Sequence, residues 1–295
     1  MRRARGVLAG AAVLTMLAAC SGGGDAPGGT AGTGSVGSTA APATSPTAAT
    51  AAAGLPPTGA VVDYQLGGGY LPADGVGGVV RDSTGTPEAG MWSGCYVNGF
   101  QTQPGDRDLW LDQHPDLVLR DADGTPVADP AWPDEMLLDL STAEKRAAIA
   151  EVLGESILAC AASGFDAVEL DNLDSYTRSD GRVTEDEAID LAARYVAIAH
   201  QAGLAVAQKN SAELGTRGRD EAGFDFAVAE ECQRWDECAA YTDVYGDAVL
   251  DIEYDDDLDG TWAQVCADPQ VPTSTILRDR GLSTPDDADY VFDRC

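Results

Sequence analysis

Acidic side chains stand just after short apolar runs in this sequence of 295 residues. Asp171 follows the run Ala167–Leu170, and Glu230 comes two residues after the run Phe226–Val228. Two carboxyl groups that meet across a glycosidic bond can hydrolyse it, because one protonates the leaving oxygen while the other attacks the sugar or activates water. A single Asp is more often a helix cap or a solvated loop residue. Acidic residues that follow several apolar runs in the same way favour a shared catalytic site.

Other polar side chains stand at or near the ends of the apolar runs, and we expect them to bind substrate. This set comprises Tyr64, Gln65, Asp82, Tyr96, Asn98, Asn172, Asp174, Lys209, Asn210, Glu253 and Tyr254. Amides and carboxylates can hydrogen-bond sugar hydroxyls, and sugars pack their C–H faces on aromatic rings. For the tyrosines, the alternative is ordinary packing of large amphipathic side chains.

Nine short apolar runs are strand candidates, and they alternate with longer helical segments as in parallel α/β folds. The runs are Val61–Gln65, Gly78–Arg81, Cys95–Val97, Met136–Leu140, Ala167–Leu170, Leu204–Ala207, Phe226–Val228, Val249–Ile252 and Thr275–Leu277. About 235 residues fit one (β/α)8 barrel of the TIM type, with one candidate outside it. Active sites of such barrels lie at the carboxyl ends of the strands, where the polar side chains above are found.

Two helices of the barrel are marked by their sequence ends. Capping-box patterns open them at Ser141–Glu144 and Thr184–Glu187. Gly164 and Gly203 are suited to end them, and a strand candidate follows each glycine. Two successive helix–glycine–strand passages favour a parallel sheet.

The first residues have the pattern of an export signal. A basic start and a short apolar stretch run into a small-residue motif before Cys20, so we predict a signal peptide over residues 1–19 and lipidation of Cys20. An ordinary signal peptide with a chance cysteine is the alternative. Residues 20–59 are rich in Gly, Ala, Ser, Thr and Pro and predict a flexible linker, followed by one domain over residues 60–295. The protein should be exported and anchored to the cell membrane by its lipid.

The net charge of −31 narrows the choice of partners. Nucleic acid is excluded as an expected partner because its recognition needs a basic surface. A cationic polymer fits the charge, although an acidic surface that serves solubility fits it equally well. The G-x-G-x-x-G pattern at Gly32–Gly37 has no strand before it and predicts no nucleotide site. We expect no cofactor, and a monomer.

The cysteines predict disulfides rather than a metal site. If Cys20 carries lipid, six remain, and an even count in an exported chain favours three disulfides. Many pairings are possible, and we favour Cys95–Cys160, Cys232–Cys238 and Cys266–Cys295. The chain has two histidines and no C-x-x-C pair, which argues against zinc. Asp255–Gly260 resembles the start of a calcium loop but lacks its closing Glu.

Several longer motifs resemble glycoside-hydrolase family 114 over essentially the whole predicted domain. These are Asp63–Gly68, Cys95–Gln103, Gly164–Asp174, Gln208–Asn210, Phe224–Cys232, Ile252–Tyr254 and Leu277–Asp279. The resemblance implies a (β/α)8 barrel and endo-α-1,4-polygalactosaminidase activity on galactosamine-containing exopolysaccharide, without a metal. It also implies Asp171 and Glu230 as the catalytic pair.

Two departures from the family pattern bear on the substrate. Family members often have Pro where this chain has Leu170, and some have Asn where it has Ala229. Neither change removes a carboxylate. We favour Glu230 as the acid/base, and the sequence leaves open whether the anomeric configuration is retained or inverted. A hydrolase of a different glycan and a non-catalytic carbohydrate-binding lipoprotein are the alternatives.

Overall fold

The computed structural model describes residues 54–295. The predicted signal peptide, Cys20 and most of the predicted linker lie outside these residues. The strands are β1 Val61–Tyr64, β2 Val76–Asp82, β3 Trp92–Asn98, β4 Ala167–Asp171, β5 Ala205–Lys209, β6 Phe226–Glu230, β7 Val249–Tyr254, β8 Ser274–Arg278 and β9 Phe292–Arg294. The α-helices are α1 Ala143–Ser163, α2 Glu185–Gln201, α3 Cys238–Tyr245 and α4 Trp262–Val265.

Strands β1 to β8 pair in chain order, all parallel, and form a nearly closed barrel. The buried Arg278 of β8 joins the two ends of the sheet. Its guanidinium donates to the carbonyl oxygen of Tyr64 on β1 and lies 3.2 Å from the carboxylate of Asp63. The predicted α/β barrel is therefore confirmed, with β9 added to β8 as an antiparallel edge strand.

Alternation along the strands divides the apolar side chains between two layers. On β4, Val168 and Leu170 face the helices and pack in the same cluster as Ile149 and Ile157 of α1. Ala167 points the other way, into the barrel interior. Because successive strand residues face opposite sides of a sheet, each strand sends every second side chain to the interior and towards the mouth.

One strand candidate was wrong, and one strand was not predicted. Met136–Leu140 makes only isolated antiparallel bridges, in a long segment between β3 and α1. Its apolar side chains are buried because they cover the outside of the barrel, not because they belong to the sheet. Strand β9 is short and its Asp293 and Arg294 are exposed, so no apolar pattern marks it.

The helix ends follow the predicted signals, with one shift. Thr142, not Ser141, caps α1, since the Thr142 hydroxyl accepts from the backbone N–H of Lys145. Gly164 ends α1 in the left-handed conformation that glycine adopts most easily (φ 93°). A complete capping box between Thr184 and Glu187 opens α2 as predicted.

The structure contains the three predicted disulfides. Cys95–Cys160 joins β3 to α1, Cys232–Cys238 joins the end of β6 to α3, and Cys266–Cys295 joins the chain after α4 to the last residue. Within residues 54–295, no helix is long and apolar enough to cross a membrane. The Gly54 carbonyl oxygen accepts from the Trp92 indole N–H at 2.7 Å, so a contact with the barrel begins inside the segment assigned to the linker.

Candidate active site

The alternation of β4, β5 and β6 brings charged side chains to the barrel mouth. Ala167 faces the interior, so Glu169 and Asp171 do as well. The same two-residue period places Lys209 after Ala205 and Ala207, and Glu230 after Phe226 and Val228. These charged residues lie at or near the ends of neighbouring strands and meet at one end of the barrel.

The ammonium group of Lys209 connects the carboxylates. Its Nζ lies 3.1 Å from Glu169 Oε1, 3.4 Å from Asp171 Oδ1 and 3.2 Å from Glu230 Oε2. Burial alone would lower the pKa of Lys209, but the surrounding carboxylates hold it well above its usual value. The last two contacts keep the Asp171 and Glu230 oxygens within about 6.6 Å of each other, an upper limit that admits the roughly 5 Å separation of retaining glycosidases.

Asp171 accepts two further hydrogen bonds. The hydroxyl of Tyr96 on β3 donates to Oδ2 at 2.6 Å, and the backbone N–H of Asn172 donates to Oδ1 at 2.7 Å. Burial and the adjacent carboxylate raise the pKa of Tyr96 well above its usual value, so this phenol remains a donor. With Lys209, these donors fix the orientation of the Asp171 carboxylate.

Glu230 is held by a matching set of partners. The hydroxyl of Tyr254 on β7 donates to Oε1 at 2.5 Å, and the amide of Asn210 donates to Oε2 at 3.2 Å. Asn210 Oδ1 in turn accepts from the backbone N–H of Glu230 at 2.8 Å. The side chain of Glu230 is 26% exposed against 18% for Asp171, so it is the more accessible of the two carboxylates.

Tyr64 and Glu169 lie beneath this pair. Tyr64 donates its hydroxyl to Glu169 Oε1 at 2.5 Å and lies 3.1 Å from Lys209 Nζ. Burial raises the pKa of Glu169 to about 7, against the opposing effect of Lys209. Neither side chain lines the open cavity, so both support Lys209 from below.

The backbone turns sharply where these strands end. Asn172 after β4, Asn210 after β5 and Glu231 after β6 all have left-handed backbone conformations, with φ of 63°, 48° and 61°. Non-glycine residues rarely adopt this region, and such strain is concentrated at functional sites. All three residues lie at the barrel mouth, beside the charged side chains that end the strands.

A cavity of about 480 Å³ opens above the carboxyl pair. Both predicted catalytic residues line it, and so do seven of the predicted binding residues. Those seven are Asp82, Tyr96, Asn172, Asp174, Lys209, Asn210 and Tyr254. The structure thus brings most of the predicted set into one place.

Four predicted binding residues do not line this cavity: Tyr64, which lies beneath it, and Glu253, Gln65 and Asn98. Glu253 faces away from the interior, because it follows the inward Ile252 on β7, and its Oε1 accepts from the backbone N–H of Gln233 at 2.7 Å. Gln65 follows the inward-facing Tyr64, so it also faces away from the interior. Its Oε1 accepts a hydrogen bond from Arg81 Nε. Asn98 lies behind the cavity wall, where its Oδ1 accepts from the Asn172 amide at 3.0 Å.

Several residues of the cavity are not among the predicted site residues. Glu231 and Arg280 form an ion pair of 2.8 Å at one rim, and Arg280 stacks on the ring of Tyr254. Trp132 and Glu135 come from the irregular segment between β3 and α1. Glu231 and Arg280 come soon after β6 and β8, and this position at a strand end could have predicted them. No periodic pattern marks Trp132 or Glu135.

One group of side chains among residues 54–295 has the spacing of metal ligands, and it does not fit a metal. It consists of Cys232, Cys238 and Asp251, but the two sulfur atoms are joined in a disulfide. At the cavity, the ammonium of Lys209 supplies the positive charge between the carboxylates.

Comparison with known proteins identifies the family of the chain and agrees with its fold. The model of glycoside-hydrolase family GH114 matches residues 42–295. The chain belongs to this family. It is therefore a glycoside hydrolase by family, on a barrel whose mouth carries a pair of carboxylates. No curated protein matches it in sequence.

Two solved structures share the fold of this GH114 member. Ega3 of Aspergillus fumigatus, in complex with galactosamine, superposes with a TM-score of 0.63 at 20% identity, covering 84% of this chain and 98% of Ega3. The glycoside hydrolase domain of PelA from Pseudomonas aeruginosa superposes with a TM-score of 0.52 at 14% identity, covering 80% of this chain and 99% of that domain. At these identities the likeness shows the fold.

Replacing Lys209 tests its role between the carboxylates. In Lys209→Met, the buried Glu169 loses its cation, so we expect the free energy of unfolding at pH 7 to fall by about 3 kcal/mol. Removal of the cation raises the folded-state pKa of Glu169 above the value of about 7 that it has with Lys209 present. The stability loss should therefore grow as the pH rises above about 7, because wild-type Glu169 then carries its charge beside Lys209 whereas Glu169 of the variant keeps its proton in the folded state.

Urea unfolding monitored at several pH values measures this effect. The matched control is Lys145→Met, which removes the other lysine from a partly exposed pair with Asp139. That change should cost less than about 1 kcal/mol, since exposed pairs contribute little. Equal losses in the two variants, or a Lys209→Met loss that does not vary with pH, would contradict the assigned role.

Proposed function

We propose that the protein is an endo-acting hydrolase of α-1,4-linked galactosamine polymers, with Asp171 and Glu230 as its catalytic pair. The observation that carries the proposal is the convergence of these two carboxylates on one ammonium at the mouth of a GH114 barrel. A sugar linkage seated above Lys209 would lie between them.

Glu230 is suited to act as the acid/base. It is the more exposed carboxylate, and the Tyr254 hydroxyl and Asn210 amide fix its direction. Protonated Glu230 would give its proton to the glycosidic oxygen as the bond to the anomeric carbon breaks. Asp171, held by Tyr96, Asn172 and Lys209, would stabilise the positive charge that develops at this carbon and then either bond to it or direct water onto it.

The charge of the cavity supports an amino-sugar substrate. Seven carboxylates line it, against three cationic side chains. The carboxylates belong to Asp82, Asp129, Glu135, Asp171, Asp174, Glu230 and Glu231. A polymer with free amino groups is cationic and would be attracted to this surface. Galactosamine in the similar Ega3 structure supports the same substrate class.

The shape of the mouth supports cleavage within a chain. The central cavity shares Leu66 and Asp82 with a second cavity of about 720 Å³ beside β1 and β2. On its other side it shares Asp174 and Glu230 with a third, whose lining includes the exposed Trp235. An open groove of this kind lets a polymer extend past the catalytic pair in both directions.

Replacement of either carboxylate should abolish hydrolysis. We expect Asp171→Asn and Glu230→Gln to lower kcat by at least about a thousandfold on α-1,4-galactosamine polymer, because each removes a group that acts only on the reacting bond. Reducing-end assays measure the rate, and mass spectrometry of the products should show short oligomers early, as expected of endo cleavage.

The matched control is Glu155→Gln, which makes the same change at an exposed position of α1. Undiminished activity in either catalytic variant would remove that residue from the mechanism. Binding of the polymer by the wild type without any hydrolysis would favour a carbohydrate-binding role, and hydrolysis of another glycan alone would favour a different substrate.

We also propose that the enzyme is exported and anchored through lipid on Cys20. The three disulfides support an oxidising compartment outside the cytoplasm. Full-length protein expressed in a bacterial host should incorporate labelled palmitate and remain with the membrane fraction, whereas Cys20→Ser should do neither. Equal labelling of the two proteins would overturn the anchor.

A further inference from the structure

The segment between β3 and α1 contributes a tight turn to the cavity, Asp129–Glu135, which we call the 129–135 turn. Its first residue holds it together, since Asp129 Oδ1 accepts from the backbone N–H groups of Ala131 and Trp132 at 2.8 and 3.2 Å. The backbone N–H of Glu135 donates to the carbonyl oxygen of Trp132 at 2.9 Å. The turn therefore presents Trp132 and Glu135 as a unit.

The barrel fixes the position of this turn. Asp129 Oδ2 lies 2.6 Å from Arg178 Nε and accepts from the Gln101 amide at 2.8 Å. Arg178 also contacts Asp174 at 2.7 Å, just beyond the end of β4. At the other end of the turn, Asn98 of β3 donates to Glu135 Oε2 at 2.9 Å.

Glu135 differs from the other carboxylates of the cavity because it has no cationic partner and one of its oxygens accepts no hydrogen bond. Among the residues that the structure describes, the carboxylates of Asp129, Asp171, Asp174, Glu230 and Glu231 each contact Lys209 or an arginine. Asp82 lacks a cation, but both of its oxygens accept hydrogen bonds, from Thr84 and Gln103.

Glu135 Oε1, by contrast, accepts no hydrogen bond and meets no cation within residues 54–295, since the contact with Asn98 uses Oε2. Burial and the nearby charges of Asp171 and Asp129 raise the pKa of Glu135 to about 7, in spite of the hydrogen bond from Asn98. The free-energy cost of this crowded negative charge would be offset by a positive group placed beside Oε1.

Trp132 supplies the second half of the arrangement. Its side chain lines the cavity, yet 62% of the residue surface is exposed. A large aromatic ring left open at a polar cavity offers a flat face for the C–H groups of a sugar ring. One turn therefore presents a stacking surface and, three residues later, a carboxylate with a free oxygen.

We propose that Trp132 and Glu135 form a subsite that recognises the ammonium group of a hexosamine unit in the bound polymer. The sugar ring would stack on Trp132 while its ammonium donates to Glu135 Oε1, near the Asp171 side of the cleavage site. This proposal rests on the proposed function and extends it, because it names the residues that distinguish a free amino sugar from its N-acetylated form.

The test measures binding in a background that does not hydrolyse the ligand. Dissociation constants of an α-1,4-galactosamine oligomer and of its N-acetylated counterpart of equal length are measured by calorimetry for Asp171→Asn alone and with Glu135→Gln. The Gln side chain keeps its size and its acceptor for Asn98. We expect the double variant to bind the cationic oligomer about tenfold more weakly, with less than about a twofold change for the N-acetylated oligomer.

Two further variants separate charge recognition from other effects. Glu155→Gln in the same background removes one negative charge from the exposed face of α1 and should leave both dissociation constants unchanged. Trp132→Ala should weaken binding of both oligomers, because the ring contacts the sugar face rather than the ammonium. Circular dichroism confirms that each variant is folded.

The outcomes distinguish this inference from the proposed function. Unchanged binding of the cationic oligomer by the Glu135→Gln variant, or equal losses for both oligomers, would overturn the subsite and leave the hydrolase in place. If the Asp171→Asn protein binds neither oligomer and the wild type cleaves neither, the proposed function fails and the subsite fails with it.

Discussion

The burial of one lysine among three carboxylates is the constraint on which the rest of the site depends. An ammonium removed from water loses several kcal/mol of hydration, which only well-placed negative partners restore. Lys209 finds them in Glu169, Asp171 and Glu230, on both neighbouring strands. Because the contacts span β4, β5 and β6, a slip of one residue in either pairing would break them. Fold and site are therefore specified together.

A second buried cation, Arg278, holds together the two ends of the parallel barrel. Arg278 on β8 binds Asp63 and the backbone of Tyr64 on β1, so the sheet closes where Tyr64 contributes to the site. Tyr64 then contacts both Lys209 and Glu169. Strand β1 therefore takes part both in closing the barrel and in supporting the buried Lys209. The phenols of Tyr96 and Tyr254 complete the arrangement as fixed donors to the two carboxylates.

Side chains placed by strand alternation were predictable from the sequence, whereas those placed by irregular segments were not. Asp171 and Glu230 follow apolar runs at positions where strand alternation points the side chain inward, so their proximity was predictable. The six cysteines pair as predicted. Glu253 follows a similar run, but it comes directly after the inward-facing Ile252. Because successive strand residues face opposite sides of the sheet, Glu253 points out of the barrel interior. Trp132 and Glu135 belong to a segment whose shape depends on the Asp129–Arg178 contact, a long-range interaction that no local pattern encodes.

The central claim is that Asp171 and Glu230 act on opposite sides of one linkage above Lys209. A crystal structure of Glu230→Gln with an α-1,4-galactosamine oligomer tests it most directly. We expect a glycosidic oxygen within about 3.2 Å of the side chain at position 230 and the adjoining anomeric carbon about 3–3.5 Å from an Asp171 oxygen. An oligomer bound with every linkage away from both side chains would contradict it.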